Sequence, residues 1–377
     1  MDFGLLIQSL GICGFTMLVI MYTCNVFEQS SAYLGRNMQA GAKGGLIDAI
    51  GSSLPELLVT MAFVATGQPE LILAGIAVTA GSAIYNACAI PALSILFAKD
   101  KDGNKVDSFE LTGKVILRDG FWLLLIESVL ILYLGWSEFT AVMAMVLIAI
   151  YGGWVAHVIR DSKAAGEGKD DYEYEEIDHT ETPSFIAWIG KCLDFNKILF
   201  GNKPLTTQTA WVTLGLSVVV LAIACHYLAV GIQGAAEAFN TPVFIAAVLL
   251  GSAATSVPDT VLSVKSAQNG EGDDAVANAI GSNIFDVGPA LAIPLLVATT
   301  PIGSWLFGLS GNPIPIEAQD ALLTAMRYMV LFTSVVVIAA LFFTRKNVNK
   351  NTAYILLGLL ASWFVFVIYN APTTVVQ

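Results

Sequence analysis

Two short runs of this chain place a hydroxyl, a proline and an acid in the same order. They are Ser53-Leu54-Pro55-Glu56 and Ser256-Val257-Pro258-Asp259. Each is followed by a matched block, Gly81-Ser82-Ala83-Ile84-Tyr85-Asn86 and Gly281-Ser282-Asn283-Ile284-Phe285-Asp286. All four lie in long apolar stretches, where a carboxylate at mid-helix costs about 2.5–3.5 kcal/mol on the insertion scale. Proline lacks a backbone donor and clashes with the carbonyl four residues earlier. Each run should therefore kink or unwind a helix and free the carbonyls near Gly51 and Ala254. Ser52, Ser53, Thr255 and Ser256 add hydroxyls, and Glu56 and Asp259 add carboxylates. Ser82 and Asn86 share a helix face, as do Ser282 and Asp286, because four residues separate each pair. Every donor is an oxygen, with no thiolate or imidazole. That is the ligand set of hard cations such as Ca²⁺ and Na⁺. Two carboxylates neutralise one Ca²⁺. The same acids, helped by hydroxyls and carbonyls, can instead hold Na⁺, and competition for them would couple the two ions.

Taken singly, these residues have plainer readings. Ser and Thr in membrane helices bond back to the preceding turn or join helices, and a lone proline is a kink. The duplication argues against those readings, since packing gives no reason for Ser-x-Pro-acid to recur in the corresponding span of two halves. Four other acids stand outside the symmetry. Asp48 has Gly251 as its counterpart, Glu127 has none, and Asp273 and Asp274 suit a helix N-terminus.

The elements that must carry these residues are membrane helices. Of 377 residues, 56% are hydrophobic and 13% charged, and the mean hydropathy is +0.71. A soluble domain of this size does not have that balance. Apolar blocks of about 20 residues are long enough to cross a bilayer as helices. Ten such spans are expected, near 4–26, 42–66, 71–97, 113–135, 138–159, 208–233, 242–265, 274–299, 326–344 and 353–370. The stretch from Phe3 to Phe27 has spanning length and no basic leader, so a cleavable signal is not expected. The net charge of −12 comes largely from one polar loop, whose run Asp170-Asp171-Tyr172-Glu173-Tyr174-Glu175-Glu176 should be solvated. Phe185, Trp188, Ile189, Leu193 and Leu199 beyond it suggest an amphipathic helix on the membrane surface. No basic patch argues for nucleic acid. Cys13, Cys24, Cys88, Cys192 and Cys225 lack metal-type spacing, and the three histidines are scattered.

The expected fold is an all-α integral membrane protein of ten transmembrane helices. Residues 1–160 form a first five-helix repeat, 161–206 an acidic cytoplasmic loop with a candidate interfacial helix, and 207–377 a second repeat. Five is odd, so the second repeat enters the membrane inverted, an architecture of many secondary transporters. With loops assigned alternately to two sides, every Lys and Arg except Arg327 falls on one side. That side should be cytoplasmic, which puts both termini on the other.

The paired blocks resemble the two alpha repeats of the cation/calcium exchanger superfamily, which includes sodium/calcium exchangers and their potassium-dependent relatives. The match covers about residues 42–95 and 245–295. The resemblance implies that Glu56 and Asp259 are central Ca²⁺ ligands. It implies that Ser53, Ser82, Ser256 and Ser282 contribute to Na⁺ sites, and that Ala49, Ser52, Ser252 and Thr255 offer carbonyls or hydroxyls. Asn86 and Asp286 take the polar position near the centre, and Asp286 is similar to the potassium-dependent branch. The implied function is secondary antiport of Na⁺ against a divalent cation, Ca²⁺ first, by alternating access in a plasma or inner membrane. It needs no enzymatic step, no cofactor and no obligate protein partner beyond the lipid bilayer and inorganic cations. An H⁺-coupled or Mg²⁺-transporting exchanger of the same fold is the alternative. A symmetric oligomeric channel has no need of an acid pair within one chain, and the motifs of an intramembrane aspartyl protease are not seen. One departure stands out: Glu56 to Ser82 spans 26 residues and Asp259 to Ser282 only 23. The three extra residues are expected in the turn near Gly67-Gln68-Pro69.

Overall fold

The computed structural model describes residues 2–36, 46, 49–100, 102–165, 184–201, 205–315 and 321–370, and almost all of them are helical. Asp48 and the acidic run 170–176 lie outside the described residues. Two long helices, α1 (Phe3–Leu34) and α9 (Thr207–Phe239), lie against each other along most of their length. Small residues set their spacing. A Cβ at Gly231 would sit 2.7 Å from Cys13 Sγ, and one at Gly234 would collide with Ser9 Oγ. Side-chain caps fix both helix starts. Asp2 accepts the Leu5 N–H at 3.1 Å, and Thr206 with Thr209 forms a capping box.

Around this pair the chain builds two broken helices and two deeply buried ones. In the first half, α2 (Ala49–Ser52) and α3 (Leu54–Val64) precede α4 (Pro69–Phe97). In the second half, α10 (Val243–Ala246), a π segment (Ala247–Gly251), α11 (Ser252–Thr255) and α12 (Val257–Gln268) precede α13 (Gly272–Phe285). A second π segment (Asp286–Ala290) and α14 (Leu291–Ala298) continue α13. The apolar windows of α4 and of Gly272–Ala298 are each 83% buried, against 28% for α1. Helices apolar all round belong in the interior, and here they form the wall between the halves. Gly81 permits a close approach: a Cβ there would lie 2.8 Å from the Val248 carbonyl and 2.9 Å from Ser252 Cβ.

The outer helices are α5 (Gly113–Tyr133), α6 (Ala141–Ala165), α16 (Ala321–Thr344) and α17 (Lys350–Asn370), with the short α15 (Pro301–Phe307) ahead of α16. Two-residue antiparallel pairs tie their ends, Ser108–Phe109 with Val348–Asn349 and Glu138–Phe139 with Ile314–Pro315. Large apolar side chains such as Phe15, Trp211, Ile223, Phe343 and Ile368 point outward, as a hydrocarbon solvent requires. One buried charge group braces this layer. Asp119 accepts both arms of Arg118 at 2.8 Å and the Trp154 indole at 2.9 Å.

Where they are described, residues of the expected spans fall mostly on helix, but the described helices are not equal. Seven are long and apolar enough to cross a membrane on length and composition. Ala49–Val64 and Tyr328–Thr344 are shorter, and α5 carries Lys114, Arg118, Asp119 and Glu127. Within the loop region, α7 (Ser184–Leu193) and α8 (Phe195–Phe200) are helical. Phe185 and Trp188 are exposed on α7 while Ile189 is buried. The extra residues between Glu56 and Ser82 are not where the spacing suggested. They lengthen the start of α4, where Pro69 opens the helix well ahead of Ser82, while Gly67 (φ 69°) turns the chain.

Candidate functional site

Both Ser-x-Pro-acid runs break their helix at the serine. Ser53 has φ −95°, ψ 5° and Ser256 has φ −81°, ψ 0°, the bridge region that regular helix avoids. The following proline sits in the first turn of the next helix, where a missing N–H is harmless. Pro55 and Pro258 have no N–H to give the carbonyls of Gly51 and Ala254. Glu56 and Asp259 thus stand in the first turns of α3 and α12, and both are fully buried.

The two breaks meet in the interior. Ser53 Oγ donates to the Asp259 carboxylate at 3.2 and 3.3 Å, and Ser256 Oγ donates to Glu56 Oε1 at 3.5 Å. The paired helices add bonds within each half. Ser82 Oγ donates to Glu56 Oε1 at 3.2 Å, and Ser282 Oγ to Asp259 Oδ1 at 2.6 Å. The register of Ser82 therefore survives the longer α4. Ser52 and Thr255 lie in polar contact with the acid of the opposite half, Asp259 and Glu56 respectively.

Asp286 enters from the second π segment. Its Oδ2 accepts Ser82 Oγ at 2.9 Å and Asn86 Nδ2 at 3.1 Å, and Asn86 also donates to Ser82 Oγ at 3.1 Å. Ser82 Oγ lies 2.9 Å from Ser256 Oγ as well. A hydroxyl has one proton, so Ser82 can serve only one of these acceptors at a time. π segments recur at functional sites, and this one contains Gly288 at φ −82°, ψ −107° and Pro289.

Ten of the twelve expected site residues thus form one interior patch through their side chains: Ser52, Ser53, Glu56, Ser82, Asn86, Thr255, Ser256, Asp259, Ser282 and Asp286. The other two offer main-chain oxygen. The Ala49 carbonyl accepts the Ser53 amide at 3.1 Å, and the Ser252 carbonyl accepts the Ser256 amide at 3.0 Å. The Ser252 hydroxyl is turned back onto the Val248 carbonyl. The acids are bridged through hydroxyls and an amide. Among the described residues no three His, Cys, Asp or Glu side chains converge on one point.

Electrostatics makes this patch unusual. Glu56, Asp259 and Asp286 are each 0% exposed, and among the described residues none has a Lys, Arg or His partner. Glu56 Oε2, Asn86 Oδ1 and Asp286 Oδ1 are buried without a hydrogen bond. Uncompensated carboxylates in the interior are expensive, and oxygens left without donors are what a cation can satisfy.

Sequence reading missed Asn278 and Ser263. Asn278 Nδ2 donates to Ser263 Oγ at 2.8 Å and to the Asp259 carbonyl at 3.4 Å, which braces the helix under the acid. The signal was present: Asn278, Ser282 and Asp286 recur every four residues on one face.

Outward apolar faces around a buried, oxygen-lined acid cluster define an integral, multi-pass membrane protein. The chain belongs to the sodium/calcium exchanger protein family, whose model matches residues 8–160 and 209–369. It is 31% identical to sodium/potassium/calcium exchanger 2 of Gallus gallus over 119 residues, 32% of this chain and 16% of that one. It is 24% identical to inner membrane protein YrbG of Escherichia coli (strain K12) over 257 residues, 67% of this chain and 68% of that one. Its fold is similar to that of the sodium-calcium exchanger NCX_Mj soaked with 2.5 mM Na⁺ and 0.1 mM Ca²⁺. The TM-score is 0.58 at 18% identity, over 96% of this chain and 98% of that one. The chain spans only a small part of the length of the vertebrate exchanger it matches.

Proposed function

We propose that this protein is a secondary antiporter that exchanges Na⁺ for a divalent cation, Ca²⁺ first, at the interior patch around Glu56, Asp259 and Asp286. The observation that carries the reading is the crosswise bonding of Ser53 to Asp259 and Ser256 to Glu56. It makes one oxygen site from two halves of the chain, with no basic side chain among the described residues to neutralise it. Glu56 and Asp259 hold the divalent ion. Ser52, Ser53, Ser82, Asn86, Thr255, Ser256, Ser282 and Asp286 provide oxygens for Na⁺, and the Ala49 and Ser252 carbonyls complete the set. The ions compete because they share the acids. The matches to exchangers named for sodium, potassium and calcium support this ion set, and Asp286 leaves K⁺ as a candidate co-substrate. Mg²⁺ demands octahedral geometry and keeps its waters, which suits this tightly hydrogen-bonded interior less well than Ca²⁺.

Two inverted five-helix repeats, 1–160 and 207–377, fit this reading, with 161–206 as a cytoplasmic connection and both termini on the opposite face of a plasma or inner membrane. Helices α1 and α9, packed face to face, move as one unit against the bundle and open the site to alternate sides. The test is radiolabelled Ca²⁺ uptake into Na⁺-loaded liposomes, with the gradient present or collapsed. Gradient-driven uptake lost in Glu56→Gln and Asp259→Asn supports the proposal. Uptake independent of Na⁺ overturns it, and the same protocol with Mg²⁺ and H⁺ then identifies the ions.

A further inference from the structure

We infer that Glu127 is a proton-binding site separate from the central acids, seated with Ser334 between two small cavities and coupled through their walls to the cation patch. Glu127 lies in α5, outside the two matched blocks, and is 1% exposed. Its Oε1 accepts the Ser334 hydroxyl of α16 at 2.7 Å. Its Oε2 is buried with no hydrogen-bond partner. The side chain borders a cavity of about 30 Å³. Apart from Glu127, that cavity is lined by carbon and by Thr79, whose hydroxyl is spent on the Ile76 carbonyl at 2.9 Å.

This chemistry selects the ligand. Glu127 forms no ion pair among the described residues. Arg118 lies two and a half turns away on the same helix and is engaged by Asp119. A Na⁺ or Ca²⁺ ion takes several oxygens at once, and here one carboxyl and one serine are available. A lone ionised carboxylate in such surroundings is strongly disfavoured. A carboxylic acid fits: Oε1 accepts Ser334, Oε2 carries the proton, and the cavity that the side chain borders has room for a water. A second cavity of about 10 Å³ is lined by Ser334 and by Asn283, whose amide oxygen and nitrogen have no hydrogen-bond partner. The Glu127–Ser334 hydrogen bond thus links a side chain of the first void to a side chain of the second, and Asn283 of α13 adds its amide to the latter.

Among the described residues, Asp286 and Tyr151 are titratable groups on elements packed against α5. Asp286 of the second π segment is turned toward Ser82 and Asn86, and Tyr151 of α6 packs on Trp154 and Phe285. The described side chains from α4, α13 and α16 that line these voids are uncharged. The cavity wall includes Ala83, next to Ser82, and Val287, next to Asp286. Loss of the Glu127 proton would draw water into this void and press on the two segments that carry those ligands. Exchange therefore falls as pH rises and the proton leaves.

The experiment pairs infrared spectroscopy of the purified protein with the pH profile of exchange in liposomes, for wild type, Glu127→Gln and Ser334→Ala. The expected result is a carboxylic-acid carbonyl band that Glu127→Gln abolishes. Ser334→Ala shifts the same band to higher frequency, because it removes the hydrogen bond, and this readout survives if Glu127→Gln does not fold. The alkaline fall in exchange is lost in Glu127→Gln. An acid-band spectrum identical in wild type and Glu127→Gln, or the same pH profile in both, overturns the inference. The infrared arm does not depend on which cations are exchanged, so its failure is distinct from failure of the exchange proposal.

Discussion

Replacing Asp259 with Asn changes the charge of the site and almost nothing of its shape. The carboxylate is fully buried, with Ser282 at 2.6 Å and Ser53 at 3.2 and 3.3 Å as hydroxyl donors. A cation held there is one member of a buried ion pair, and removing one partner of such a pair costs about 3–5 kcal/mol. Ca²⁺ affinity should therefore fall by roughly two to nearly four orders of magnitude. Ser282→Ala removes only a neutral donor to that carboxylate. A hydrogen bond to a charged group contributes about 1.5–3 kcal/mol, and the carboxylate recovers part of it by holding the cation more tightly. A loss of about tenfold is expected. Ser53→Ala gives up longer, divided bonds and should cost less than Ser282→Ala. Calorimetric titration of the purified protein with Ca²⁺ in Na⁺-free buffer measures all three. If Asp259→Asn binds within about threefold of wild type, or if Ser282→Ala is the more damaging change, the carboxylate is not the ligand and the reasoning fails.

Other outcomes follow from separate parts of the molecule. Asp119 is buried and holds Arg118 and Trp154, so Asp119→Ala should destabilise the protein by about 3–5 kcal/mol. A thermal melt in detergent checks this, and an unchanged midpoint would refute it. If α1 and α9 move together, a disulfide between Cys13 and Gly231→Cys, sites 2.7 Å apart by Cβ to Sγ, should leave exchange intact. One between Phe27→Cys and Gly51→Cys, which joins α1 to the broken helix, should arrest exchange until reductant is added. Arrest by the first pair would contradict the rigid-pair mechanism. Asp107, in the loop before α5, is held below the usual carboxylate range by its hydrogen bond from Lys350 at 2.5 Å. Its contribution is present above the ordinary carboxylate pKa and lost as pH falls through the lowered one. Because the contact is exposed, Asp107→Asn should leave the melting midpoint unchanged within error at neutral pH, and a clear drop would refute this.

Much of the site could be read from the chain because it is local chemistry written twice. A proline denies a donor to the carbonyl four residues back, and Pro55 and Pro258, each set between a serine and an acid, pointed to both breaks. Serines four residues from Asn86 and Asp286 had to share a face with them. Apolar length required helices, since an unpaired backbone is not tolerated in hydrocarbon. Other features depend on how distant segments pack. No spacing rule told that Ser53 would bond Asp259, 206 residues away, in place of its neighbour Glu56. The three extra residues of the first half could sit in a turn or in a helix with equal local sense, and the packing of α4 placed them at its start. Glu127 was visible as an acid without a counterpart. Its meaning rests on Ser334, 207 residues along the chain, and on a cavity that exists only where α4, α5 and α16 fail to fill space. Local sequence dictates where a helix bends and which face is polar. Long-range packing sets which polar atoms meet and which remain without a partner.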